Sequence, residues 1–257
     1  MISCKEYADF KKTQIKEAPA HMELSIVQVG DDPSSAAYVR GKVKDCNEVG
    51  IKSYLYQVSD TITQNEFADV VTKAALNGGG IMITMPLPPH LHVRKEWFKP
   101  WQDVDGLCYD YYSPCTAEGI MNWLDFNDFD FENSHVVVVG RGKLVGHPLA
   151  EMLIKAGATV TVCNSHTSRQ LISALVQQAD VIVSATGHKD WFDGWLDSRK
   201  KRLWIDAGIN VDEKGHICGD LDATWLTACG QKVTPVPGGV GLLTRVTLLE
   251  HLTGKEF

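Results

Sequence analysis

Tyr38 and Lys42 stand four residues apart in PSSAAYVRGKVK, a stretch with helical spacing, so their side chains share one face. An amine walled off from water is suited to moving protons. Its pKa falls toward neutrality unless a nearby carboxylate holds it charged. Asp103 and Asp105 of DVDG offer such carboxylates, and Thr84 offers a hydroxyl at the end of the apolar run GIMITMP. The residues alone leave a second reading open: a solvated Tyr–Lys pair and a capped surface turn.

A different chemistry is suggested by VVVVGRGKLVGHP. Gly140, Gly142 and Gly146 follow an apolar strand and open a helix, where backbone N–H groups and the helix dipole receive a pyrophosphate. The spacing is G-x-G-x-x-x-G, one residue longer than the usual dinucleotide fingerprint. At the end of the next strand, where an NAD site places an acid for the ribose, the chain carries Cys163-Asn164-Ser165. With no carboxylate there and with Arg141, Lys143 and Arg169 nearby in sequence, a 2′-phosphate would be accepted, so NADP is expected, with NAD as the alternative. Cations that merely solvate the turn are the plainer explanation.

These residues need elements to hold them. Short apolar runs alternate with helical patterns along the whole chain, the mark of β-α units and a parallel sheet. The spacing predicts strands over 24–30, 53–58 and 80–86 and helices over 34–49 and 63–77. Past a Pro- and Gly-punctuated passage it predicts a helix over 117–125, strands over 136–140, 159–164, 179–187 and 203–210, and intervening helices ending at Ala156 and Gln178. LTRVTLLEHLTG (243–254) has the spacing of a terminal helix. The fold class is α/β and two-lobed. An N-terminal α/β catalytic domain (1–114 and 243–257) would join a Rossmann-type NAD(P)-binding domain (115–242), with the C-terminal helix packing back on the first lobe.

The 257 residues carry a formal net charge of −7, with no long basic run to displace counterions from a nucleic-acid backbone. Nucleic acid is not an expected partner. No apolar stretch approaches the length of a membrane span, and MISCKEYADFKKTQIKE is too charged for a signal peptide, so no membrane is expected and the location is read as cytoplasmic. Seven scattered cysteines without a Cys-x-x-Cys pair, and histidines without His-Glu-x-x-His spacing, give neither a disulfide framework nor a metal site.

Taken together and in order, VGDDPSSAAYVRGK (29–42), MPLP (85–88), DVDG (103–106), PCTAEG (114–119), VVVGRGKLVGHP (137–148), ATVTVCNSHT (158–167), ADVIVSATG (179–187), IDAGIN (205–210) and TPVPGGVGLLT (234–244) resemble the methylenetetrahydrofolate dehydrogenase/cyclohydrolase family. The resemblance implies a two-lobed subunit, usually a homodimer, that takes a folate substrate and NADP, or sometimes NAD. Two reactions are implied: oxidation of 5,10-methylenetetrahydrofolate, and hydrolysis of the methenyl product to 10-formyltetrahydrofolate. By resemblance Lys42 is the catalytic lysine, Tyr38 packs on the substrate ring and Asp105 binds the pterin. The turn holding Pro237, Gly238, Gly239 and Val240 lines the folate site. Gly140, Arg141, Gly142, Lys143, Ser165, Thr167 and Ile209 fall on cofactor positions.

The chain has Thr84 where members usually carry Gln beside the lysine, Gly142 where Ser is usual, and only seven residues (107–113) between DVDG and PCT, about a dozen fewer than usual. A dehydrogenase without the hydrolytic step, a Rossmann oxidoreductase for another small substrate, and a folate-binding paralogue without turnover are the alternatives these departures raise.

Overall fold

The computed structural model describes residues 1–17, 23–108, 110–189, 191–192, 196 and 199–254. In chain order the first elements are α1 (Cys4–Glu17), β1 (Leu24–Val29), α2 (Pro33–Glu48), β2 (Ser53–Val58), α3 (Gln64–Leu76) and β3 (Gly80–Ile83). Then follow α4 (Cys115–Phe126), β4 (His135–Val139), α5 (Gly146–Lys155), β5 (Thr159–Cys163), α6 (Arg169–Gln178) and β6 (Val181–Ser184). The last are β7 (Leu203–Asp206), β8 (Asn210–Val211), β9 (Ile217–Cys218), α7 (Ala223–Ala228), β10 (Lys232–Val233) and α8 (Val240–Thr253). The chain divides into two compact units. One comprises Asp9–Cys115 and Arg245–Phe257, the other Met1–Ala8 and Thr116–Thr244.

The first unit is built on a parallel sheet of order β2-β1-β3. β1 is central and buried along its whole length, which is why it reads as continuous apolar sequence rather than as an alternation. Helix α2 starts where Asp32 accepts from Ser35 N–H at 2.8 Å and Pro33 occupies the first turn. Helix α3 starts with a reciprocal Thr63–Glu66 capping box. Phe67, Val71 and Ala74 of α3 pack on Val27, Ile81 and Ile83. The C-terminal helix α8 belongs to this unit from Arg245 onward. Arg245 binds Asp45 of α2 bidentately, and Lys11 of α1 meets Glu250 at 3.0 Å.

The second unit is a five-stranded parallel sheet of order β10-β7-β6-β4-β5. The strand order reverses at β4, whose neighbours are β5 and β6, so a crevice opens beyond the carboxyl ends of β4 and β6. Doubly wound sheets bind nucleotides at this point. Val137, Ile182, Val176 and Trp204 fill its core.

Three expected strands are markedly shorter in the structure. β6 covers only Val181–Ser184 of the expected 179–187, because Ala179 still closes helix α6 as its C-cap. β3 stops at Ile83 because Pro86, in a cis peptide with Met85, has no N–H to continue the ladder. β7 stops at Asp206, whose carboxylate turns back to cap Gly208 N–H at 2.9 Å. Helix α1 went unread because its charged residues mask an apolar face of Cys4, Tyr7, Ala8 and Ile15. Among the described residues no helix is long and apolar enough to cross a membrane.

Candidate functional site

In the first unit, α2 delivers Tyr38 and Lys42 to one spot. Lys42 is 1% exposed, its Nζ lies 2.9 Å from Asp105 Oδ1, and the same ammonium sits 4.6 Å from the centre of the Tyr38 ring. Burial is the largest influence on Lys42 and pushes its pKa down, but Asp105, with smaller help from Tyr38 and Cys115, outweighs it and leaves the pKa above the ordinary lysine value. The amine is therefore an ammonium in the free protein. Burial pushes the Tyr38 phenol up to about 12, against the opposing pull of Lys42.

The two carboxylates of DVDG do different work. Asp103 is buried and accepts from Leu107 N–H at 2.9 Å and Cys108 N–H at 2.7 Å, so it caps the turn. Asp105 is the one that faces the lysine. Its position is set from below. Gln102 donates to the carbonyls of Ala75 and Gly79 at 2.9 and 3.0 Å, anchoring the segment beneath β3. The carbonyl of Val104 lies 2.8 Å from His251 Nδ1 and accepts from the Cys115 thiol at 3.1 Å. Gly106, at φ +68°, lets the Ser113 carbonyl approach to where a Cβ would stand 2.2 Å away. Tyr112 stacks on His251 with ring centroids 4.1 Å apart.

Thr84 is buried at the end of β3 and accepts from Val29 N–H at 3.4 Å. The structure thus brings Tyr38, Lys42 and Asp105 together, and among the described residues no hydrogen bond joins Lys42 to Thr84.

In the second unit the glycine turn fits a dinucleotide. A Cβ on Gly140 (φ +110°) would stand 2.1 Å from Ala185 O, and one on Gly146 2.0 Å from Gly140 O. Those two glycines are required for the backbone to fold tightly at the mouth of α5, whereas a Cβ on Gly142 meets nothing within 4 Å. Helix α5 has no side-chain cap, but His147 N–H donates to Gly142 O at 3.1 Å and Pro148 has no N–H, so the charges of exposed Arg141 and Lys143 beside the turn are what suit it to an anion. Beyond β5, Ser165 is exposed and Thr167 Oγ1 accepts from Asn164 N–H at 3.0 Å. Ile209 is 57% exposed. At the other end of this unit Pro237 follows a cis bond, Gly238 has φ +105°, and Val240 begins α8. Gly239 lies so close to Pro235 that a Cβ would stand 2.4 Å from its carbonyl oxygen.

Sequence reasoning missed a pair of buried acids behind the crevice. Asp206 Oδ1 accepts from Gly208 and Asp220 N–H, and its Oδ2 from Leu221 N–H. Asp220 Oδ2 accepts from Ser184 Oγ and from Thr186 N and Oγ1, each at 2.8 Å. The signal was present as a glycine beside or near each acid, in Asp206-Ala-Gly208 and Gly219-Asp220. A Cβ on Gly208 would stand 2.0 Å from Asp220 Oδ1, and one on Gly219 2.0 Å from Asp206 Oδ2.

Residues 2–105 match the family profile described as tetrahydrofolate dehydrogenase/cyclohydrolase, catalytic domain, and residues 114–256 that of its NAD(P)-binding domain. The chain is 36% identical to the bifunctional protein FolD of Legionella pneumophila (strain Corby), over 98% of this chain and 95% of the relative. Among solved structures, the bifunctional methylenetetrahydrofolate dehydrogenase/cyclohydrolase FolD of Campylobacter jejuni superposes with a TM-score of 0.86 at 33% identity, covering 98% of this chain and 96% of that one. The Trypanosoma brucei enzyme complexed with NADP and an inhibitor gives a TM-score of 0.83 at 26% identity, over 98% and 95%. The chain therefore belongs to the tetrahydrofolate dehydrogenase/cyclohydrolase family.

Proposed function

We propose that the protein oxidises 5,10-methylenetetrahydrofolate to the 5,10-methenyl cation with NADP as hydride acceptor, and hydrolyses that cation to 10-formyltetrahydrofolate. The observation that carries this reading is the buried Lys42–Asp105 pair against the Tyr38 ring, within the unit that matches the family's catalytic domain. When bound, the nicotinamide supplies a two-electron acceptor and no proton chemistry. Gly140, Arg141, Lys143, Ser165, Thr167 and Ile209 would hold it, with Gly142 leaving room beside the phosphates.

Tyr38 offers a flat face for the folate ring. Asp105 accepts from the pterin amino and ring N–H groups, which draws its charge away from Lys42. Burial then acts on the amine with less opposition, so its proton becomes easier to release. Water adds its oxygen to the methenyl carbon and passes one proton to the discharged Lys42, Lys42 returns that proton to N5 as the carbon–N5 bond breaks, and the remaining hydroxyl proton leaves to solvent as the formyl C=O forms. By the family resemblance Pro237, Gly238, Gly239 and Val240 would contribute to folate binding, and Thr84 contributes a small polar group near the end of β3.

A cytoplasmic homodimer fits two further observations. All seven cysteines are free, as in a reducing compartment. β2 is an outer strand of its sheet and exposes Tyr54 and Leu55, an edge that a second copy could cover.

The test is spectrophotometric: reduction of NADP or NAD by 5,10-methylenetetrahydrofolate, then decay of the methenyl absorbance without nucleotide. Reduction favouring NADP, with decay above the buffer rate, is expected. Reduction alone would remove the hydrolytic half of the reading, and neither signal would overturn both.

A further inference from the structure

We infer that Asp220 is a positioning residue for nucleotide binding, a role that rests on the reading of the second unit as an NADP site. The segment after β6, Ala185–Thr186–Gly187, forms one wall of the crevice at the strand-order reversal. It touches the glycine turn directly, since a Cβ on Gly140 would stand 2.1 Å from Ala185 O. Ala185 N–H still donates to Val139 O of β4 at 2.8 Å, but Thr186 and Gly187 lie beyond the sheet ladder. What holds these two residues is Asp220 Oδ2, which accepts from Thr186 N at 2.8 Å, Thr186 Oγ1 at 2.8 Å and Gly187 N at 3.2 Å. Ser184 Oγ donates to the same oxygen at 2.8 Å and receives the Trp191 indole N–H at 2.7 Å. The other oxygen, Oδ1, accepts from Asn210 Nδ2 at 2.9 Å, tying in the strand that follows Ile209. Asp220 is fully buried, and these partners are neutral donors.

A buried carboxylate served by neutral donors is costly to keep, and as a negative charge behind a pyrophosphate site it opposes the ligand electrostatically. Its worth lies in geometry: one oxygen orders consecutive donors that the wall would otherwise leave unpaired. Charge and geometry make opposite forecasts for its removal. If charge dominated, Asp220→Ala would bind NADP more tightly; if positioning dominates, the wall loosens and binding weakens.

The experiment is calorimetric titration of wild type, Asp220→Ala and Asp220→Asn with NADP, beside nucleotide-free hydrolysis of the methenyl folate and steady-state NADP reduction. Asp220→Ala is expected to raise the NADP Kd about ten- to a hundred-fold, the loss expected when hydrogen bonds to a charged group go. The rise should appear in KM for NADP more than in kcat, with hydrolysis at its wild-type rate. Asp220→Asn keeps one oxygen for Thr186 and Gly187 and should fall between. Should the alanine variant not fold, the asparagine variant decides by the same shift in Kd. Unchanged or tighter NADP binding would overturn the role, as would a loss of affinity matched by an equal loss of hydrolysis. Wild-type protein that binds neither NADP nor NAD would instead overturn the nucleotide reading itself, and the inference with it.

Discussion

Lys42 Nζ lies 2.9 Å from Asp105 Oδ1, joining helix α2 to the DVDG turn in a site where the lysine is buried and the aspartate is partly open. The pair explains why a buried amine stays charged. It also supplies a way to discharge it, because the partner that holds the proton in place is the group a pterin would engage.

Replacing Asp105 by Asn should lower the Lys42 pKa. In the wild type the folded value is raised, so the pair's stabilisation is fully present below the ordinary lysine value of 10.5 and is lost as pH rises through the higher folded value. In Asp105→Asn burial prevails and the sign reverses, with Lys42 shedding its proton at lower pH. The pH dependence of Lys42 reductive methylation, read by mass spectrometry, should move to lower pH; a profile identical to wild type would show that Asp105 does not hold the charge.

Gly140 and Gly142 should respond oppositely to an added side chain. Gly140→Ala drives a Cβ against Ala185 O in a left-handed backbone conformation and should abolish measurable NADP binding while leaving folate hydrolysis. Gly142→Ser meets open space and should keep or tighten NADP binding. Calorimetry on both variants checks the contrast, and equal losses would contradict the proposed path of the phosphates.

Arg245→Met should destabilise the first unit. Asp45 is 1% exposed at its side chain and, among the described residues, would keep Lys12, at 2.6 Å, as its cationic partner. Removing one member of a buried charge cluster costs about 3 kcal/mol when a second partner remains. The urea midpoint should fall at unchanged slope, and an unaltered midpoint would show that α8 is not held to α2 by this pair.

The architecture was legible where sequence and burial agree. β1 and β4 are apolar because both faces are covered, and the Asp32-Pro33 start announces α2. The Tyr38–Lys42 spacing placed both side chains on one face, as found. The distinction between Asp103 and Asp105 was not legible, since it depends on which carboxylate the local N–H groups of Leu107 and Cys108 claim. Nor was the support of Val104 by His251, whose two residues lie far apart in sequence and meet only through α8. Asp206 and Asp220 escaped notice because each looks like a loop acid until the glycine opposite it is seen to make room.

The most direct test of the account is Lys42→Met assayed for nucleotide-free hydrolysis of 5,10-methenyltetrahydrofolate. Methionine keeps the length and burial of the side chain and removes the proton carrier. A fall of about 10²–10⁴ in kcat, with NADP still bound at wild-type affinity, is the expected result. Hydrolysis at the wild-type rate would take Lys42 out of the mechanism.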